Sequence, residues 1–357
     1  MECCGKLEEL LEGQIEAPSK EIAEQIKKHW DAIAKPLDSM GRFENVICQI
    51  GSILGTEYPS LHKKGVIVFC ADNGVVEEGI SQSSKEVTAA VTRGMGNNET
   101  NVGRMAVRVG ADVIPVDIGV NSKEVFVGVR QEKIAFGTRN FAREPAMTEA
   151  EALRAIRLGM ELVRECREQG YELLGTGEMG IGNTTTSSAV AAALLHCPVE
   201  QVTGRGAGLD DLRLKKKKQV ILNALERYQL KEAEPLTVLQ CVGGLDIAGM
   251  VGVFLGGAKY RMPIVIDGVI SLVAALLAVR ILPVAREYMI PSHGSREPAS
   301  MLLLQELGLQ PFIHGDMALG EGTGAVMLFP LLDLALQVYG QNRTFEDIKI
   351  EPYRRFS

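Results

Sequence analysis

The chain has no surplus of positive charge. Its 38 Lys and Arg face 45 Asp and Glu, for a net charge of −7. That balance argues against a sequence-independent nucleic-acid binder. There is no C-x-x-C spacing among Cys3, Cys4, Cys48, Cys70, Cys166, Cys197 and Cys241. An odd number of dispersed cysteines, several inside apolar runs, reads as reduced thiols in a cytoplasmic protein. The five histidines (His29, His62, His196, His293, His314) show no H-x-x-x-H or mixed Cys/His spacing, so no metal site is expected. No lysine follows a glycine loop in the Walker manner, which leaves ATP chemistry without a seat. Met1 to Glu9 already carries three glutamates, so no secretory leader is expected. The longest apolar run, Val269 to Ala285, is broken by Arg280 and Pro283 and reads as a buried helix, so no membrane contact is expected. Internal repeats and low-complexity linkers are missing too.

Glycine is abundant, with 38 residues that cluster after apolar runs. The cluster that organises the chain is Leu173-Leu-Gly-Thr-Gly-Glu-Met-Gly-Ile-Gly-Asn-Thr-Thr-Thr-Ser-Ser188. An apolar pair enters it and an Ala-rich helical run from Ala189 to Leu195 leaves it. Gly175, Gly177, Gly180 and Gly182 would let backbone N–H groups approach an anion, and Asn183 and Thr184 would add cap oxygens and hydroxyl donors. Strand, glycine turn and helix start together read as a phosphate cradle, with Glu178 set in its middle. Gly175-x-Gly177-x-x-Gly180 is also formally a dinucleotide fingerprint. However, the acidic residue that should follow the next strand has no clear counterpart near Glu200, and a carboxylate beside a pyrophosphate repels it. NAD binding by an oxidoreductase, or a merely structural turn, stay as alternatives.

Elsewhere, continuous apolar runs end in small polar clusters. They are Gly65–Ala71 before Asp72-Asn73-Gly74, Asp112–Asp117 before Ile118-Gly119, Leu236–Val242 before Gly243-Gly244-Leu245-Asp246, Met262–Ile266 before Asp267-Gly268, and Glu287–Ile290 before Pro291-Ser292-His293-Gly294-Ser295. Such runs read as strands buried on both faces, and helical segments lie between most of them. The expected fold is therefore α/β: a doubly wound, mainly parallel, Rossmann-like sheet with a small helical subdomain. Residues 1–60 would form that subdomain, joined by the C-terminal helix in 331–357, and residues 61–330 the α/β catalytic domain. Within 1–60, helical spacing covers 6–34 with a break at Pro18-Ser19, followed by a helix from Glu44 to Ile53. In such sheets ligands sit beyond the carboxyl ends of the strands, where every small polar cluster falls.

A second glycine-framed carboxylate lies in Leu319-Gly320-Glu321-Gly322-Thr323-Gly324-Ala325. Glycines on both sides leave Glu321 open to a ligand as a general base; the bland reading is a carboxylate at a helix N-terminus. Gly204-Arg-Gly-Ala-Gly208 precedes the run Lys215 to Lys218, of which at most one or two can face a cleft. His293 lacks an Asp or Cys partner by spacing.

Taken in order, Lys35-Pro36…Ser39-Met40-Gly41-Arg42, Ala71-Asp72-Asn73-Gly74-Val75, Gly177-Glu178-Met179-Gly180-Ile181-Gly182-Asn183-Thr184-Thr185, Val242-Gly243-Gly244-Leu245-Asp246, Ile290-Pro291-Ser292-His293 and Leu319 to Ala325 resemble one family. It is that of the nicotinate-nucleotide:dimethylbenzimidazole phosphoribosyltransferases, which build the lower-ligand nucleotide of cobalamin, and the resemblance spans about 35–335. It implies ribose 5-phosphate transfer from nicotinate mononucleotide to a benzimidazole-type base, without a cofactor or metal, in a homodimer. It makes Glu321 the base and Glu178 a catalytic residue lining the site. It implies substrate contacts from Gly177, Gly180, Asn183, Thr184, Gly206, Lys217, Ser292, Ser295, Gly320 and Gly322, with Asp72 and Ser83 near the base pocket. Relatives usually carry a glutamine between Glu86 and Arg104, where this chain has Ala90 or Val91. That leaves another benzimidazole, a purine or a phenol open as the accepting base.

Overall fold

The computed structural model describes residues 7–83 and 86–355. Cys3, Cys4 and Lys6, the first residue of the expected N-terminal helix, lie outside them. Six strands form one parallel sheet: β1 (Lys64–Ala71), β2 (Ala111–Gly119), β3 (Arg130–Gln131), β4 (Leu173–Met179), β5 (Ile264–Ile266) and β6 (Met289–Pro291). Their spatial order is β3-β2-β1-β4-β5-β6. The chain thus reverses its direction of travel between β1 and β4, which opens a crevice beyond their carboxyl ends. β1 is buried along its whole length, as its uninterrupted Val-Ile-Val-Phe-Cys-Ala core demands.

Helices cover both faces. On one, the helices Glu149–Glu168 and Leu245–Lys259 cross closely, because a side chain at Gly252 would stand 2.0 Å from the Ile156 carbonyl oxygen. On the other, Trp30 from the helix Lys20–Ala32 and Ile47 from Arg42–Leu54 join Val66, Val68, Phe329 and Leu332 in one apolar cluster. Ser19 caps the first of these helices by accepting from Ile22 N at 3.3 Å.

Several expected elements differ. Leu236–Val242 is not a strand but the body of a helix, Pro235–Val242, lying over the helix Asn183–Leu195. A short apolar run reads equally as strand or buried helix, and the decisive sign is Pro235 in the first helical turn. The helix expected from Leu331 starts at Thr323 and runs through Pro330 to Gln341. Among the described residues this helix, not Val269–Ile281, is the one long and apolar enough to cross a membrane by length and composition. It is half buried, however, and its Asp333 pairs with Lys64 of β1 at 2.9 Å. A separate two-stranded sheet, β7 (His293–Ser295) with β8 (Ile313–Met317), has no apolar signature in the sequence, since both strands are largely polar. Cys48, Cys70, Cys166, Cys197 and Cys241 are all free thiols.

Candidate active site

β4 runs further than its apolar entry suggests and carries Gly175, Gly177 and Glu178 inside the strand. Gly175 and Gly177 are therefore not part of a phosphate-binding turn. They are small because a second segment lies on them. A Cβ at Gly175 would stand 2.8 Å from the Ala325 Cβ, and one at Gly177 would stand 2.7 Å from the Glu321 carbonyl oxygen. The turn is made by Gly180 and Gly182, the latter in the left-handed region at φ 96° and capping the helix Asn183–Leu195. The dinucleotide fingerprint accordingly matches letters but not geometry.

Beyond the strand ends lies a cavity of about 210 Å³. Glu178, Gly180, Asn183, Thr184, Gly206, Ser295, Gly320 and Glu321 all line it, brought together from four separate stretches of sequence. Asp267, His293 and Glu297 complete its titratable wall. Asp72, Ser83, Gly177, Lys217, Ser292 and Gly322 do not line it. Gly177 and Gly322 support the Glu321 loop from behind. Ser292 donates to the Asp267 carbonyl oxygen at 3.2 Å and lies 3.0 Å from His293 Nδ1. Lys217, the one buried lysine of its run, donates to Thr184 Oγ1 at 3.0 Å and to the Gly204 carbonyl at 3.2 Å. It thus stands one layer behind the cavity wall. Asp72 is buried at the end of β1 and accepts from Asn121 N at 2.7 Å. Ser83 follows a loop, Ile80–Gln82, that borders a smaller hollow of about 80 Å³ on the far side of Gly180–Thr184.

Glu321 sits between Gly320 and Gly322, and all three have positive φ, at 80°, 61° and 86°. Two glycines relieve most of the strain of such a turn, leaving one left-handed non-glycine residue to be held by its contacts. Those contacts come from an unexpected place. Glu321 Oε1 accepts from Asn101 Nδ2 at 2.9 Å and Oε2 from Val102 N at 3.0 Å. The carboxylate therefore does meet a helix N-terminus, but that of Asn101–Val109 rather than of its own helix. Glu178 is held by the Asn183 amide, which also reaches Asp246 Oδ2 at 3.2 Å.

The electrostatics are dominated by crowded, desolvated acids. Burial, then the nearby Asp246 and Asp267 carboxylates, push Glu178 up to about 8 against the opposing Asn183 hydrogen bond. Burial likewise raises Asp267 to about 7, although it accepts from Gly322 N at 3.1 Å and Gly324 N at 2.7 Å. Asp246 is raised to about 6 by burial. Burial lowers His293 and takes Lys217 down to about 8, the latter opposed by Glu297. No lysine or arginine lines the cavity among the described residues. Such a site favours a ligand that brings positive charge to the carboxylates and an anionic group to the helix N-terminus beside Thr184.

Asp246, Asp267 and Asn101 carry geometry that sequence reasoning does not single out. The two aspartates are visible as the acidic ends of apolar runs. Asn101 has no local signal, because its partner lies 220 positions away.

A parallel α/β sheet with an acid-lined cavity beyond the carboxyl ends of β4, β5 and β6 defines the class, and the phosphoribosyltransferase family matches residues 15–350. A nicotinate-nucleotide–dimethylbenzimidazole phosphoribosyltransferase of Clostridium acetobutylicum is 45% identical over 348 residues, covering 98% of this chain and 99% of its own. One of Acetivibrio thermocellus is 45% identical over 335 residues, covering 94% and 95%. The crystal structure of CobT from Thermus thermophilus superposes with a TM-score of 0.88 at 36% identity, covering 93% of this chain and 99% of that one. The chain belongs to the nicotinate-nucleotide–dimethylbenzimidazole phosphoribosyltransferase family.

Proposed function

We propose that this enzyme transfers ribose 5-phosphate from nicotinate mononucleotide to 5,6-dimethylbenzimidazole or a related lower-ligand base, giving an α-ribotide and nicotinate for the cobalamin nucleotide loop. The observation that carries the reading is the pair of glycine-framed carboxylates, Glu178 and Glu321, facing one cavity beyond the carboxyl ends of β4, β5 and β6. An azole nitrogen attacks the anomeric carbon from the face opposite the pyridinium. The C–N bond to nicotinate breaks and its electron pair neutralises the ring nitrogen, so the leaving group needs no acid. The azole N–H proton passes to Glu321. Glu178, protonated at neutral pH in its desolvated setting, becomes the better-stabilised carboxylate when a cationic pyridinium enters beside it, and then offsets positive charge developing on the ribose.

The N-terminus of Asn183–Leu195, the Thr184 hydroxyl, the Gly206 backbone and Ser295 receive the phosphate, with Lys217 reinforcing Thr184 from behind. Asp72, Ser83 and Ser292 act through the surrounding loops. Replacing Glu321 by Gln keeps the shape of the loop and removes the base. A fall in kcat of about 10²-fold or more is expected, and retention of wild-type turnover would refute the assignment.

The enzyme acts as a cytoplasmic homodimer in this reading. The five cysteines among the described residues are free thiols, which fits the compartment. Val107 on Asn101–Val109 and Leu334 on Thr323–Gln341 are 68% and 63% exposed on two helices packed together, and a second copy would cover them in this reading. Light scattering should give twice 38.7 kDa, and a monomer would count against the dimer. Residues 61–330 form the catalytic unit in this reading, with the helix Thr323–Gln341 continuing across its end. The helices of 1–60, joined to 331–357 through the Ile33–Thr344 bridge, form the small subdomain.

A further inference from the structure

We infer that Asn101 is a positioning residue for the general base, and that with the N-terminus of its helix it fixes the plane of the Glu321 carboxylate. The inference rests on the base assignment proposed for Glu321. Both carboxylate oxygens are engaged, one by the Asn101 amide at 2.9 Å and the other by the Val102 backbone N–H at 3.0 Å. Two donors on two oxygens define a plane, whereas either alone would leave the group free to rotate. The backbone gives no such control. Glu321 sits in a left-handed turn between two glycines, the most permissive setting for its main chain.

The holder is itself anchored. Thr100 caps the helix Asn101–Val109 by accepting from Gly103 N at 3.4 Å, and Val102, Gly103 and Ala106 are buried. Each carboxylate oxygen has two acceptor directions, so one donor apiece leaves a lone pair on each to take the azole proton. Asn101 is solvent-exposed and touches the site only through Glu321, so replacing it spares the core. The arrangement parallels Asn183 holding Glu178, but the two amides come from different helices, Asn101–Val109 and Asn183–Leu195.

The test combines Asn101→Ala and Asn101→Asp with a double-mutant cycle against Glu321→Gln, read as ribotide formation under saturating nicotinate mononucleotide and dimethylbenzimidazole. Asn101→Ala should lower kcat by about tenfold while KM for nicotinate mononucleotide stays within about twofold and the melting temperature is unmoved. Asn101→Asp should lose more than Asn101→Ala, because a carboxylate then faces Glu321, whereas a residue that only supports the helix would make the two variants alike. In the Glu321→Gln background Asn101→Ala should cost nothing further. An Asn101→Ala enzyme with wild-type kcat, or an equal fold-loss in both backgrounds, overturns the positioning role while leaving the base assignment standing. A fully active Glu321→Gln single variant overturns the base itself.

Discussion

Adding one methyl group at Gly177 should disable the enzyme through the Glu321 loop. Gly177 lies in β4, and a Cβ there would stand 2.7 Å from the Glu321 carbonyl oxygen, 2.8 Å from its carbon and 2.8 Å from Gly322 N. All three atoms are backbone, so no rotamer change relieves them. Ordinary contact begins at 3.4 Å, so the loop must withdraw from 2.7 Å by about 0.7 Å. Overpacking of this kind costs roughly 1–3 kcal/mol. The displacement also shifts the Glu321 carboxylate against Asn101 and Val102, and a misplacement near 1 Å can cost about 10²-fold in rate.

The informative control is Gly252→Ala, where the clash is 2.0 Å from the Ile156 carbonyl oxygen, between two helices remote from the cavity. Melting temperatures and kcat of both variants separate the effects. Gly177→Ala should lose kcat well beyond what its folded fraction explains, while Gly252→Ala should lose stability with the surviving molecules near normal. If Gly177→Ala melts and turns over like wild type, the strand does not carry the loop as described.

Other consequences are as direct. Glu178 is raised from its ordinary range to about 8, so between about 4.5 and 8 the folded chain holds a proton that the unfolded chain has released. Stability from this group is full below the unfolded value and lost as pH rises through 8. Thermal melts of Glu178→Gln should therefore decline less than wild type from pH 5 to 8, and parallel curves would contradict the burial argument. Lys217→Met removes a buried amine bonded to Thr184 and should raise KM for nicotinate mononucleotide by about tenfold or more. An unchanged KM would separate Lys217 from the phosphate. The buried thiols of Cys70 and Cys166, both pushed up to about 12, should stay unmodified by a thiol reagent in the native state. Rapid labelling of either would contradict their burial.

Much of this is legible in the sequence because parallel strands announce themselves. Gly65–Ala71 is apolar on both faces and ends in Asp72-Asn73-Gly74, a pattern that only a doubly covered strand with a functional loop requires. Leu236–Val242 passes for a strand because seven mostly apolar residues carry no clear period, and the proline that marks a first helical turn lies just outside the run. Within the site, local motifs point to Glu178, Asn183 and Glu321. The roles of Gly175 and Gly177 are not legible locally, since their smallness answers a segment almost 150 positions later. The grip of Asn101 on Glu321 is hidden for the same reason: a contact across the crevice leaves no trace in spacing.

The central claim is a phosphoribosyl transfer driven by two glycine-framed carboxylates. It is tested most directly by supplying nicotinate mononucleotide with 5,6-dimethylbenzimidazole, other benzimidazoles, adenine and p-cresol together. Chromatography with mass detection then identifies the products. One dominant α-ribotide with matching release of nicotinate is the predicted result, and it names the accepting base. Nicotinate mononucleotide that binds but yields no ribotide from any base would contradict the account.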